Sequence, residues 1–166
     1  HMGYAAFVDA ATAVGLDGLL TVDIPPEEVD EVNAELKRVG MDNIFLIAPT
    51  TPDERIGRIT DSASGFIYYV SLKGVTGAGH LDTGDVARRV AEIRQHSDLP
   101  VAVGFGIKDP GSARVVAEVA DGVVVGSALV SRAAAVMEDG GDTQAAIEAA
   151  AELLASLRQG IDSVAS

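Results

Sequence analysis

The chain has 166 residues, with 25 acidic against 12 basic side chains and a formal net charge of −13. That balance argues against a nucleic-acid partner, which needs a basic footprint, and against anionic membrane surfaces. A hydrophobic content of 48% lies far above the disordered regime, and the lack of cysteine removes disulfide and thiolate chemistry. No run approaches the roughly 18 apolar residues of a membrane span, no signal peptide is read, and a cytoplasmic location is expected. His1-Met2 reads as a scar left by an expression vector, which puts a single domain at 3–166. A start almost directly in a helical pattern points to a piece of something longer.

In chain order, Tyr4, Phe7, Val8, Ala11 and Val14 have helical spacing and stop at Gly15. Leu19-Leu20-Thr21-Val22 reads as a short buried strand ending at Asp23. Pro25-Pro26 opens a helix with the stripe Val29, Val32, Leu36 and Val39, closed by Gly40. Ile44-Phe45-Leu46-Ile47 is the next strand. Thr51 or Asp53 caps a helix running to about Asp61. A strand over 66–70 leads into the glycine loop Gly74-Val75-Thr76-Gly77-Ala78-Gly79. A helix near 84–96 carries Val86, Val90 and Ile93 on one face, and Pro100-Val101-Ala102-Val103 is a strand. Asp109-Pro110 starts a helix that buries Val115, Val116 and Val119. Gly122-Val123-Val124-Val125 is the fifth strand, and Ser127 begins a short helix broken at Gly140-Gly141. The last helix runs from about Thr143 to Val164, with the stripe Ile147, Leu154, Leu157, Ile161 and Val164.

Strands alternating with helices, and strands apolar on both faces, predict right-handed parallel βαβ units. The expected fold is α/β, a partial (β/α)8 barrel of five parallel strands with flanking helices. A complete barrel takes about 250 residues. Three successive strand exits carry glycine: the Gly74–Gly79 loop, Gly104-Phe105-Gly106 and Gly126-Ser127. The loop reads either as a mobile lid, with Thr76 offering a hydroxyl and Gly77 and Gly79 as hinges, or as an ordinary long connection. Gly106 either frees a backbone N–H for a ligand or makes a tight turn, with Phe105 covering a substrate or packing. Ser127 either adds a hydroxyl to a helix N-terminus that attracts anions or simply caps it. Their joint position on one rim favours phosphate binding.

Asp23 ends a strand at the same rim, and reads equally as a cap on the Pro25-Pro26 turn. Tyr68 and Tyr69 must point to opposite faces. His80 and His96 have no metal-ligand spacing and read as surface residues; no metal, Walker or GxGxxG motif is present.

The stretches 19–28 (LLTVDIPPEE), 68–78 (YYVSLKGVTGA), 104–107 (GFGI) and 125–128 (VGSA), in this order, resemble the tryptophan synthase alpha chain of proteobacterial type. The resemblance runs to the end of the chain and covers the later part of the family's sequence, from the helix before the fourth barrel strand. It implies cleavage of indole-3-glycerol phosphate to indole and glyceraldehyde 3-phosphate, no cofactor in this chain, and a pyridoxal-phosphate-dependent beta chain as partner. It implies that Gly77, Gly106, Gly126 and Ser127 hold the substrate phosphate. Phe105 would line the cavity, Thr76 would be the lid threonine, and Tyr68 would lie beside the reacting groups. Asp23 matches an acidic strand-end position of unspecified role. The family's catalytic glutamate and partner aspartate belong to its second strand and the following loop, and no residue here matches them. Glu27, Glu28, Asp53 and Glu54 read as first-turn charges instead. The alternative is a non-catalytic phosphate-binding fragment or a self-associating half-barrel, since a cut barrel exposes two strand edges.

Overall fold

In a computed structural model, which describes residues 2–71, 83–104 and 106–164, the chain forms one parallel sheet with helices laid along one face. The strands are β1 (Gly18–Thr21), β2 (Asp42–Ile47), β3 (Ile67–Val70), β4 (Val101–Gly104) and β5 (Gly122–Val124), paired in sequence order. The helices are α1 (Tyr4–Ala13), α2 (Asp30–Val39), α3 (Asp53–Ser62), α4 (Thr83–Arg94), α5 (Pro110–Ala117), α6 (Ser127–Glu138) and α7 (Thr143–Asp162).

Local chemistry sets most of the boundaries. Gly40 closes α2 in the left-handed region at φ 73°, where its N–H reaches the carbonyls of Leu36 and Lys37. Asp109 accepts from the Ser112 N–H at 2.9 Å, and Ser112 Oγ accepts in return from the Asp109 N–H, a capping box that starts α5 with Pro110 in the first turn. Asp142 caps α7 through the Ala145 N–H at 2.8 Å.

Two boundaries differ from the sequence reading. Pro25-Pro26 opens only a single 3-10 turn over Pro26–Glu28, and α2 begins at Asp30. Thr51 does not cap α3. Its Oγ1 accepts from the Ala48 N–H at 3.0 Å and so closes the preceding turn, while α3 starts without a side-chain cap.

The sheet has unequal faces. Val101, Val103, Ile67, Tyr69 and Ile47 are buried against Val86, Val90 and Ile93 of α4, Ile56 and Ile59 of α3, and Val32 and Leu36 of α2. Each fully buried side chain of this kind contributes about 1.5–3 kcal/mol. The alternate residues, Leu20, Ile44, Leu46, Tyr68, Val70, Ala102 and Val124, share the opposite face by strand parity and register, and all but the buried Ile44 remain half-buried or exposed. Tyr69 thus faces the helices and Tyr68 the open side, as their alternation requires.

Buried polar groups are tied across elements. Asn43, buried on β2, accepts from the Thr21 hydroxyl, donates to Asn33 Oδ1 at 2.7 Å, and donates its backbone N–H to Ser64 Oγ at 2.9 Å. Arg89 of α4, 5% exposed, donates to Asp53 at 2.6 Å, to Glu92 at 2.7 Å and to the Thr51 carbonyl. Burial opposes its charge, but the bonds from Glu92 and Asp53 outweigh that and hold its pKa above the ordinary value.

Asp121 accepts from the Val101 N–H at 2.8 Å and from Arg94 at 2.9 Å. The Val101 bond first, then Arg94, keeps its carboxyl below the usual carboxylate range, against an opposing contribution from burial. A depressed carboxyl contributes stability above its unfolded pKa of about 3.9 and loses it as pH falls through the folded value. Asp121→Asn is expected to lower unfolding stability by about 1 kcal/mol at pH 7, and urea titrations of the two proteins should converge as pH falls below about 3.9. An unchanged difference at low pH would show that the carboxylate charge is not the cause.

Candidate functional site

The C-terminal ends of β4 and β5 open onto a groove of about 740 Å³. Gly106, Ile107 and Lys108 form one side, Ser127, Ser131 and Arg132 of α6 the second, and Glu152, Leu153 and Ser156 of α7 the third. Gly106 stands at φ 76°, a conformation that side-chain-bearing residues adopt poorly, and a Cβ there would meet nothing within 4 Å. The backbone is therefore bare towards the groove.

Ser127 is the first residue of α6, and Gly126 is its N-cap with no side-chain cap. The first N–H that α6 satisfies through Gly126 is that of Leu129, so the N–H groups ahead of it have no intrahelical acceptor. Ser127 is therefore not the N-cap of α6, and its hydroxyl makes no capping hydrogen bond. Lys108 and Arg132 are, with Lys37, the described basic residues outside any ion pair; eight arginines pair with carboxylates. In a chain of net charge −13, these two cations line the groove together with Glu152.

Tyr68 reaches the same end from β3. A Cβ built on Gly104 would lie 2.4 Å from the Tyr68 hydroxyl, so the phenol rests directly on the last residue of β4. Burial pushes the Tyr68 phenol up from its usual pKa, which keeps it neutral and able to donate. Ser71 fixes the strand exit: its N–H and its Oγ both donate to the Gly104 carbonyl, at 3.0 and 2.8 Å.

Gly106 and Ser127 are therefore brought together, Gly126 immediately precedes Ser127, and Tyr68 lies against Gly104 without lining the groove. Thr76, Gly77 and Phe105 lie outside the described residues, as does His80. Asp23 stands apart. It is exposed in a second cleft of about 410 Å³ between the ends of β1 and β2, with Thr50, Thr51 and Arg55, and caps no helix. Glu27 and Glu28 are first-turn residues of the 3-10 turn, and Asp53 and Glu54 of α3, as read from sequence. His96 is exposed. Among the described residues, no group of three or more histidine or acidic side chains is placed to hold a metal ion, and no helix is long and apolar enough to cross a membrane.

Lys108, Ser131 and Arg132 were not singled out by the sequence reading. Two basic residues without a carboxylate three or four positions away, in so acidic a chain, are the signal that marks them.

Comparison with known proteins gives one consistent result. The family model described as tryptophan synthase alpha chain matches residues 1–160, His1 and Met2 included. The tryptophan synthase alpha chain of Thioalkalivibrio sulfidiphilus is 56% identical over 161 residues, which are 97% of this chain and 59% of the relative. That of Thiobacillus denitrificans is 52% identical over 162 residues, 98% of this chain and 58% of the relative. The crystal structure of tryptophan synthase subunit alpha from Legionella pneumophila superposes with a TM-score of 0.82 at 39% identity, covering 97% of this chain and 58% of that one. This chain thus spans about three-fifths of the length of these relatives. The structural relatives are (β/α) barrels, so the five-strand sheet corresponds to part of a barrel.

Proposed function

Because the chain belongs to the tryptophan synthase alpha chain family, we propose that it carries the phosphate-binding half of a site for indole-3-glycerol phosphate, in the reaction that releases indole and glyceraldehyde 3-phosphate. The observation that carries this is the meeting of Gly106, the uncapped start of α6 at Ser127, and two unpaired cations in one groove. Free N–H groups at a helix N-terminus bind phosphate through direct bonds and the helix dipole. Lys108 and Arg132 supply the long-range attraction that the rest of this acidic surface lacks.

The bond cleavage needs a proton donor at the indole ring and a base for the glycerol hydroxyl. Two of the described carboxylates near the rim are held in ion pairs. Glu27 pairs with Arg55 and Arg58, and Asp53 pairs with Arg89. Tyr68, neutral and close to the groove end, orients the substrate without abstracting a proton. The acid–base pair belongs to a segment outside this sequence, and turnover by the 166-residue chain alone is low. Thr76, Gly77 and Phe105 complete the lid and cavity wall in this reading, and the pyridoxal-phosphate-dependent beta chain is its partner in a cytoplasmic complex. Alone, the chain covers its open sheet face by self-association.

Phosphate binding is tested by titrating glycerol 3-phosphate into the protein and following the 31P signal. Ser127→Asp puts a carboxylate at the first position of α6, where it suits the helix dipole and so preserves the helix. Binding should weaken by at least about tenfold, or about 1.4 kcal/mol, with no fall in melting temperature. Unchanged affinity in Ser127→Asp would remove the groove from consideration.

A further inference from the structure

We propose that Asp17-Gly18 is a site of spontaneous covalent modification, where this chain acquires an isoaspartyl bond and so becomes a substrate for a carboxyl methyltransferase that uses S-adenosylmethionine. The inference stands apart from the phosphate groove and does not depend on the family.

An aspartate followed by glycine can close on itself, because glycine has no side chain to shield its backbone nitrogen. The chain has three such pairs, Asp17-Gly18, Asp121-Gly122 and Asp139-Gly140. The fold holds two of them. The Asp121 carboxylate is tied by the Val101 N–H at 2.8 Å and by Arg94 at 2.9 Å, which keeps it from turning towards Gly122. At Asp139 the nucleophile is occupied. The Gly140 N–H donates to the Met137 carbonyl at 3.2 Å and the Gly141 N–H to that of Val136 at 2.8 Å, the bonds that end α6. Closing a ring there would dismantle this cap.

Asp17 has neither restraint. Its side chain is exposed and takes part in no side-chain hydrogen bond or ion pair of the described residues. Gly18 pairs with Asp42, and the Asp42 N–H reaches the Asp17 carbonyl at 2.9 Å. In a parallel ladder that rung turns the Gly18 N–H the other way. Among the described strands β1 pairs with β2 alone, so this N–H faces the side without a neighbouring strand. Ring closure gives up a single rung, at the very start of an edge strand. Packing also fixes the glycine, since a Cβ at Gly18 would lie 2.8 Å from Ile44 Cδ1 and 3.2 Å from the Asp42 carbonyl oxygen. The fold thus keeps an unshielded nitrogen beside a free carboxyl.

The chemistry needs water and no other reactant. The Gly18 nitrogen loses its proton and attacks Asp17 Cγ. An N–Cγ bond forms, a Cγ–O bond breaks and water leaves, which gives a cyclic imide. Water then opens the imide at either carbonyl. Breaking the N–Cγ bond restores aspartate. Breaking the bond from the nitrogen to the α-carbonyl leaves the chain running through Cγ, with the α-carboxylate as the side group. The net change is an isomerisation. It adds a carbon atom to the backbone ahead of β1 and displaces the acceptor that meets the Asp42 N–H. The exposed α-carboxylate is the group that a methyltransferase esterifies.

The test ages the purified chain for weeks, once folded and once in concentrated urea. Isoaspartate is then labelled with an isoaspartyl methyltransferase and S-adenosylmethionine, and located by peptide mass spectrometry. In the folded protein, label at residue 17 should exceed that at residues 121 and 139 together. In urea the three should accumulate alike. Asp17→Glu, whose ring would need one more atom and closes far more slowly, should lose the label at residue 17. Asp17→Asn should gain it faster, because ammonia leaves in place of water. Position 17 is exposed, so the circular dichroism of both variants should match the parent. Aged parent should exchange its amides over Gly18–Thr21 faster than aged Asp17→Glu. The proposal is overturned if residue 121 or 139 leads in the folded protein, or if folded and unfolded chains give the same distribution. It is overturned too if Asp17→Glu keeps the label, or if the two aged proteins exchange alike.

Discussion

Indole release from indole-3-glycerol phosphate by the isolated 166-residue chain is expected to run at least about 10⁴-fold below that of an intact alpha chain assayed beside it, such as the Legionella relative. A positioned acid or base contributes about 10²–10⁴-fold, and in the proposed reading this chain supplies neither. Glu27 and Asp53 are held in ion pairs with Arg55, Arg58 and Arg89. Burial raises the Tyr68 pKa, so the phenol remains protonated through the neutral range and cannot serve as the base. Phosphate affinity should survive this loss, because Gly106 and Ser127 depend only on β4, β5 and the helices that follow them. Turnover approaching that of the intact relative would show that another group supplies the proton transfer.

Gly160→Ala is expected to destabilise the fold by about 1–3 kcal/mol, although alanine is the better helix former by about 1 kcal/mol. Gly160 lies inside α7, and a Cβ there would sit 2.4 Å from the Pro110 carbonyl oxygen and 3.0 Å from its carbonyl carbon. Those are backbone atoms at the capped start of α5, so they cannot swing aside as a long side chain would. The two helices would have to separate. Gly57→Ala in α3 is the control, since its nearest neighbour is His96 Nδ1 at an ordinary 3.4 Å, and there the gain in helix propensity should appear undiminished. Urea unfolding of both variants measures the contrast; equal effects would mean that α5 and α7 do not approach this closely. Gly160 is one turn from Ser156, so the same separation should widen the groove and weaken phosphate binding.

The order of elements was legible because short apolar runs alternate with stripes of helical period, and each βα unit is punctuated by glycine, proline or aspartate. Asp109-Pro110 and Gly40 are read directly as helix ends because their chemistry is local. The buried face of α7 was legible in part. Leu157 and Ile161 of the predicted stripe face the core, whereas Ile147 and Leu154 are exposed and Ala146 and Leu153 are turned inward in their place. A helical period alone does not fix the face to within one residue, and the close approach of α5 at Gly160 does. Thr51 was misread for a related reason, since a hydroxyl two residues before a helix bonds equally well to its cap or to the turn before it. The groove was legible at Gly106 and Ser127, whose neighbours in sequence are strand ends. Arg132 was not, because it enters from the second turn of α6 and becomes a neighbour of Lys108 only once β4 and β5 are paired.

The parallel pairing of each strand with the next in sequence also governs how the chain finds this structure. Paired residues such as Gly18 and Asp42, Phe45 and Ile67, Ile67 and Val101, and Ala102 and Gly122 are joined by one helix and its connections. Among the described residues, no strand pairing joins the first unit to the last. Loop-closure entropy therefore enters in similar small instalments, each only weakly dependent on length, and never as one contact spanning the chain. Such a sheet can nucleate at any adjacent pair and grow in either direction, with a low contact order for a parallel β protein.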